Sequence, residues 1–143
     1  MSAALEVGLV VAERAFSLSR DSLVRYAGAS GDFNSIHYRD DVAAGVGLPG
    51  VLAHGMLTMG VAVQPVVSWL EGDDAPGAAG WVTDYQVRFT RPVVVDPERG
   101  AEITVTAKIG QLDTEARTAR VDLTVTFEGA TVLGKAQVRV AWS

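Results

Sequence analysis

Cysteine is absent from the 143 residues, and histidine occurs only twice. The first absence excludes disulfides, thiolate metal sites and a cysteine nucleophile. The second leaves little acid/base equipment that titrates near neutral pH. Aromatic residues make up 7% of the chain, so its core is expected to consist mainly of Val, Ala and Leu. Acidic residues outnumber basic ones 17 to 12, for a formal net charge of -5, and no Lys/Arg cluster stands out. Neither nucleic acid nor a membrane surface is therefore an expected partner. No apolar run reaches the ~20 residues that a membrane span needs. The longest, Gly55 to Trp69, also contains Thr58, Gln64, Pro65 and Ser68. The N-terminal stretch MSAALEVGLVVAER carries acid rather than a basic leader, and a cytoplasmic protein is the expectation.

The length suits one domain, 1–143, able to bury a sizeable core. Val10 to Ser17 reads as a first strand. Ser19 reads as the N-cap of a helix carrying Leu23, Tyr26 and Ala27 at helical spacing, with Asp21 favourable in the first turn. That helix should end in the Gly28–Gly31 turn. A short helix is expected around Arg39–Ala44, before Gly45, Gly47, Pro49 and Gly50 break regularity. From Gly55 the pattern is apolar on nearly all sides, which predicts a helix wrapped by other structure, with Pro65 kinking or shortening it near its end. Residues 72–80 read as a mobile loop.

The second half changes period from 3.6 to 2. Apolar residues alternate at Trp81–Phe89, Ile103–Ile109, Ala119–Phe127 and Val132–Val140, with turns near Asp113 and Gly129. Four strands with one apolar face each predict an antiparallel sheet whose inner face needs a cover. The 55–69 helix is apolar enough to provide it. The expected architecture is α+β, a curved antiparallel sheet wrapped around one long central helix.

One of the two histidines, His37, stands five positions after Asp32, with Asn34 between them, just past the Gly28–Gly31 turn. An imidazole with a carboxylate beside it suits proton exchange at neutral pH, and a loop lets the two converge on one face of a substrate. An isolated Asp/His pair at this spacing more often only ties down a loop. His54, directly before the long helix, reads either as a structural histidine bonded to backbone or as a substrate contact. No metal is expected, because no third ligand stands at a recognisable spacing from the two histidines. Gly45-Val46-Gly47 lacks the context of a nucleotide loop, and neither Ser30 nor Ser35 sits in a nucleophile elbow. Met56 and Met59 suit a core, or the wall of an acyl tunnel that tolerates varied chains.

The segment Tyr26–His37, with Gly31-Asp32-x-Asn34-x-x-His37, resembles the hydratase motif of the MaoC-like family of (R)-specific enoyl-thioester hydratases and dehydratases. Val51-Leu52-Ala53-His54-Gly55-Met56-Leu57-Thr58-Met59-Gly60 is similar to that family's loop leading into its central helix, and Thr83–Phe89 to the strand that follows. The resemblance covers nearly the whole chain and extends to the catalytic subunit of mycobacterial (3R)-hydroxyacyl-carrier-protein dehydratases. It implies the hotdog fold and reversible dehydration of (3R)-hydroxyacyl thioesters of coenzyme A or acyl carrier protein. It places the acid/base pair on Asp32 and His37, with Asn34 beside them and the Gly55 N–H as donor to the thioester oxygen. His54, Met56 and Met59 become candidate substrate contacts. No cofactor is implied. The implied assembly is a homodimer, or a heterodimer with a related hotdog subunit. A noncatalytic acyl-binding subunit and a hotdog thioesterase are the competing readings. The chain departs from the family pattern at Ser35, where proline is usual; a serine hydroxyl bonded to backbone is expected to keep the turn.

Overall fold

The computed structural model describes residues 4–143, so the first three residues of the N-terminal stretch lie outside the description. Strand β1 (Val10–Leu18) leads into helix α1 (Arg20–Ser30). The Ser19 side chain accepts a bond from Ser22 N, and the Ser22 side chain reciprocates, as the N-cap reading requires. The helix ends at Gly31, whose φ of 76° is the left-handed geometry that glycine adopts without steric cost. A single 3₁₀ turn, Ser35–His37, and helix α2 (Asp40–Gly45) follow. The central helix α3 runs Gly55–Glu71, and β2 (Gly80–Phe89), β3 (Ala101–Asp113), β4 (Thr118–Phe127) and β5 (Ala130–Trp142) complete the chain.

The five strands form one antiparallel sheet in the order β1-β3-β4-β5-β2, leaving β1 and β2 as its edges. Helix α3 packs against β1, β2, β3 and β4. The alternation read in β3 and β4 is the alternation observed: Ile103, Val105, Ala107 and Ile109, and Ala119, Val121, Leu123 and Val125, are buried. Each Val, Leu or Ile among them contributes about 1.5–3 kcal/mol on removal from water before entropy is counted. A two-residue turn joins β4 to β5, with positive φ at Glu128 (50°) and Gly129 (77°), the combination that matches strand twist.

Four expectations need correcting. Helix α3 is covered on one side only. Thr58, Ala62, Pro65, Val66, Trp69 and Leu70 are buried, while Met56, Gly60, Gln64 and Ser68, spaced four apart, form an exposed stripe. Pro65 does not shorten the helix, which continues to Glu71 because burial of Val66, Trp69 and Leu70 outweighs one missing donor. Strict alternation also fails in β2 and β5, where register shifts fall between Val82 and Asp84 and between Gln86 and Arg88. Val82, Tyr85 and Val87 therefore face the core, and Trp81 and Phe89 are exposed. The loop after α3 is tied down by Ala78 N to Ser143 O (3.1 Å), Ser143 N to Ala79 O (2.9 Å) and Trp69 Nε1 to Asp74 O (3.1 Å).

The segment between β2 and β3 has no regular structure, yet Val93 and Val95 are buried. Ala53 N donates to Val93 O and Val95 N to Val51 O, both at 2.9 Å, which fixes the loop entering α3. Arg20 braces the same segment, donating from Nε to Val95 O (2.6 Å) while its guanidinium forks onto both carboxylate oxygens of Asp40.

Candidate active site

The loop after α1 is organised by its own short polar side chains. Asp32 N donates to Ser30 Oγ (3.1 Å), Asn34 N to Asp32 Oδ1 (3.1 Å), and Ile36 N to Asn34 Oδ1 (3.2 Å). The turn is thus held by the Asn34 amide rather than by the Ser35 hydroxyl. Asn34 caps the 3₁₀ turn whose last residue is His37. Leu52 N then bonds Ile36 O (3.1 Å), joining this loop to the one entering α3.

His37 is buried, and its Nδ1 lies 2.7 Å from Leu52 O. A carbonyl only accepts, so Nδ1 carries a proton and Nε2 holds the lone pair in the neutral ring. Nε2 is 4.0 Å from the exposed Asp32 carboxylate, close enough for charge attraction and too long for a direct hydrogen bond. His54 stacks on His37, with ring centroids 3.8 Å apart and planes 21° from parallel. Tyr26 meets the His54 ring edge-on at 4.7 Å. Only 1% of His54 is exposed; its Nε2 donates to Asp32 O (3.2 Å), and its Nδ1 is buried without a partner. Burial pushes the His54 imidazole below its usual range, and the neighbouring His37 adds to this, against the opposing pull of Asp32.

A cavity of about 330 Å³ opens beside His37, lined also by Gly55, Thr58, Phe89, Pro92 and Leu133. Gly55 opens α3, and His54, its N-cap, provides no side-chain cap. Leu57 N and Thr58 N both turn back to His54 O (3.1 Å each), so the N–H groups before them in the first turn have no helical partner. The positive end of the helix therefore meets the cavity at Gly55. A Cβ at Gly55 would come within 2.9 Å of the Phe89 ring.

The sequence reading had no third metal ligand, whereas the fold brings ligating atoms of Asp32, His37 and His54 within 4.8 Å of one another. The near-parallel stack argues against a shared ion, because in-plane lone pairs of two stacked rings do not converge on one point. The Leu52 and Asp32 carbonyls, moreover, already engage one nitrogen of each ring.

Asp32, His37, His54 and Gly55 thus gather in one place, and Asn34 supports the turn from its exposed position. Met56 and Met59 do not line this cavity: Met56 begins the exposed stripe of α3, and Met59 is half-buried, its carbonyl accepting from Tyr85 Oη at 2.7 Å. Sequence reasoning missed the Leu52 carbonyl and the wall formed by Phe89, Pro92 and Val93. The run Pro92-Val93-Val94-Val95 between polar segments was the available signal.

The family description "MaoC like domain" matches residues 6–126, and the chain belongs to that family. It is 30% identical over 137 residues to a 3-hydroxybutyryl-CoA dehydratase of Methylorubrum extorquens, covering 95% of this chain and 81% of that protein. It is 28% identical over 130 residues to an (R)-specific enoyl-CoA hydratase of Rhodospirillum rubrum, covering 90% and 84%. Among solved structures, a MaoC-like dehydratase superposes with a TM-score of 0.87 at 38% identity, over 97% of this chain. The chain spans 41% of the length of that longer protein. The HadBC (3R-hydroxyacyl-ACP dehydratase) complex of Mycobacterium tuberculosis shares the fold, with a TM-score of 0.72 and 17% identity, over 94% of this chain and 96% of that one. The hotdog architecture and the family resemblance read from the sequence are both borne out.

Proposed function

We propose that this chain is a hydro-lyase that interconverts (3R)-hydroxyacyl and trans-2-enoyl thioesters of coenzyme A or acyl carrier protein. The observation that carries the reading is the free Nε2 of His37, 4.0 Å from the Asp32 carboxylate, beside a cavity that receives the positive end of α3. In the hydration direction, an oxygen at hydrogen-bond distance from both groups sits off the line joining them. His37 Nε2 takes a proton as that water oxygen bonds to C3 of the enoyl group. The C2–C3 π electrons shift toward the thioester, whose oxygen becomes enolate-like and accepts from the Gly55 N–H. The pair then returns a proton to C2, so one water is added and the enzyme is regenerated. Asp32 orients the water and balances the imidazolium charge.

The relatives named as a dehydratase and as a hydratase support this reaction over thioester hydrolysis. The approach of Asp32 to His37, which lines the cavity, supports it over a purely acyl-binding subunit. We further propose that the exposed stripe of α3 and the unpaired outer edge of β2, with Trp81 and Phe89, form the contact to a second hotdog subunit, identical or related.

Absorbance of the enoyl thioester, followed with enoyl-coenzyme A substrates of increasing chain length, tests the reaction. Reversible loss of absorbance without release of free thiol is expected. Thiol release would instead mean a thioesterase, and no change with any substrate or partner subunit would mean a binding protein.

A further inference from the structure

Among the described residues, His54 is the buried histidine that the acid/base scheme leaves unused. It contacts His37 and Asp32 and adjoins Gly55. Its ring lies on His37 at 3.8 Å, its Nε2 donates to the Asp32 carbonyl at 3.2 Å, and its backbone is the N-cap that starts α3 beside Gly55. The Asp32 side chain itself is half exposed and, among the described residues, hydrogen-bonded only to Asn34 N, so little else holds it at a set distance from His37.

We infer that His54 is a positioning residue: as a neutral Nε2–H tautomer, it holds the peptide of Asp32 so that the carboxylate and His37 Nε2 face one oxygen at the same time. Two observations assign the neutral form independently. Nδ1 is buried and has no acceptor, so a proton there would be unpaired. A cation on His54 would also lie face to face with His37, the ring that must itself accept a proton. The groups facing His54 are His37, Tyr26 and the Asp32 peptide, none of which offers Nδ1 a partner. The downward push on its imidazole is consistent with this.

This inference rests on the hydro-lyase reading, and its test has an arm that does not. His54→Gln keeps an N–H donor at about the position of Nε2 and loses the ring. His54→Phe keeps the stacked ring and loses the donor. In the Phe variant kcat should fall on the order of 10–10²-fold with KM nearly unchanged, as expected for a misplaced catalytic pair, and Gln should restore most of it. Combining His54→Phe with Asp32→Asn should add little to the loss from Asp32→Asn alone, because both act on one group. Independently of turnover, hydrogen exchange of the Asn34 amide, which bonds Asp32 Oδ1, should quicken in the Phe variant and stay slow in the Gln variant. A fully active Phe variant, equal losses in both variants, or Asn34 exchange unchanged by Phe would each overturn the inference. A wild-type protein inert toward every thioester would overturn the hydro-lyase reading instead and leave the exchange arm to decide the role of His54.

Discussion

His37 Nδ1 and the carbonyl of Leu52 lie 2.7 Å apart, and this bond decides which nitrogen of the imidazole is free. Leu52 is itself held by its N–H to Ile36 O and by a bridge to Val94. The acceptor that orients the ring is thus fixed by two separate stretches of chain, those of Ile36 and Val94. The other nitrogen, Nε2, is left 4.0 Å from the Asp32 carboxylate, and His37 itself lines the cavity.

Removing either partner of that pair should leave the fold intact and remove most of the activity. His37→Ala and Asp32→Asn are each expected to lower kcat/KM by about 10²–10⁴-fold. Turnover with an enoyl-coenzyme A substrate checks this, alongside circular dichroism to establish folding. Near wild-type turnover in either variant rules the assignment out.

Gly55 separates a catalytic role from a packing role. Its N–H opens α3 at the cavity, and a side chain there meets the Phe89 ring first. The atoms it meets belong to one side-chain ring and not to backbone, so the loss of stability should be small beside the loss of kcat. Gly55→Val should lower kcat by a factor on the order of 10²–10³ if the donor is displaced, and Gly55→Ala by less. A lowered melting temperature with unchanged kcat would show that glycine serves packing alone.

Ser35 stands where the family usually has proline, and the local geometry accepts one. Asn34 has φ -59° and ψ 123°, within what a residue preceding proline adopts, and position 35 is the first of the 3₁₀ turn. Ser35→Pro is expected to stabilise the protein by about 0.4–1 kcal/mol, chiefly by restricting the unfolded chain, with activity retained. Urea unfolding measures this, and a loss of stability would mean that the Ser35 N–H or hydroxyl matters to the turn.

Tyr85 and His54 should shape stability at opposite ends of the pH range. Burial pushes the Tyr85 phenol up to about 12 from its ordinary 10. The folded protein therefore holds a proton that the unfolded chain releases between these values. Its contribution is complete below pH 10 and lost as pH rises toward 12. For His54 the folded value lies below the ordinary 6.5, so the unfolded chain binds the extra proton and stability falls as pH drops below 6.5. Unfolding midpoints across pH should show a shallower alkaline loss in Tyr85→Phe and a shallower acid loss in His54→Gln.

Much of this protein was determined locally, and those features were legible. A serine before an amphipathic run caps α1 through its nearest amides, and glycine at 31 ends that helix because its left-handed backbone costs least there. The alternation in β3 and β4 reports burial of one face, since regular strands place every second side chain inward. Asp32, Asn34 and His37 belong to one short turn, so their proximity needs no long-range contact. Tertiary structure alone decided the rest. Register shifts turned Trp81 outward and Val82 inward, because strand pairing, not periodicity, sets where the ladder slips. The sheet covered one side of an almost wholly apolar helix and left a stripe exposed, which depends on how far one sheet can wrap. The tautomer of His37 and the stacking of His54 upon it rest on groups 15 and 17 positions away in the chain, brought together only when the 51–53 loop is clamped by Val93 and Val95. A sequence names the groups able to move a proton; only packing from distant segments sets which nitrogen is free and what it faces.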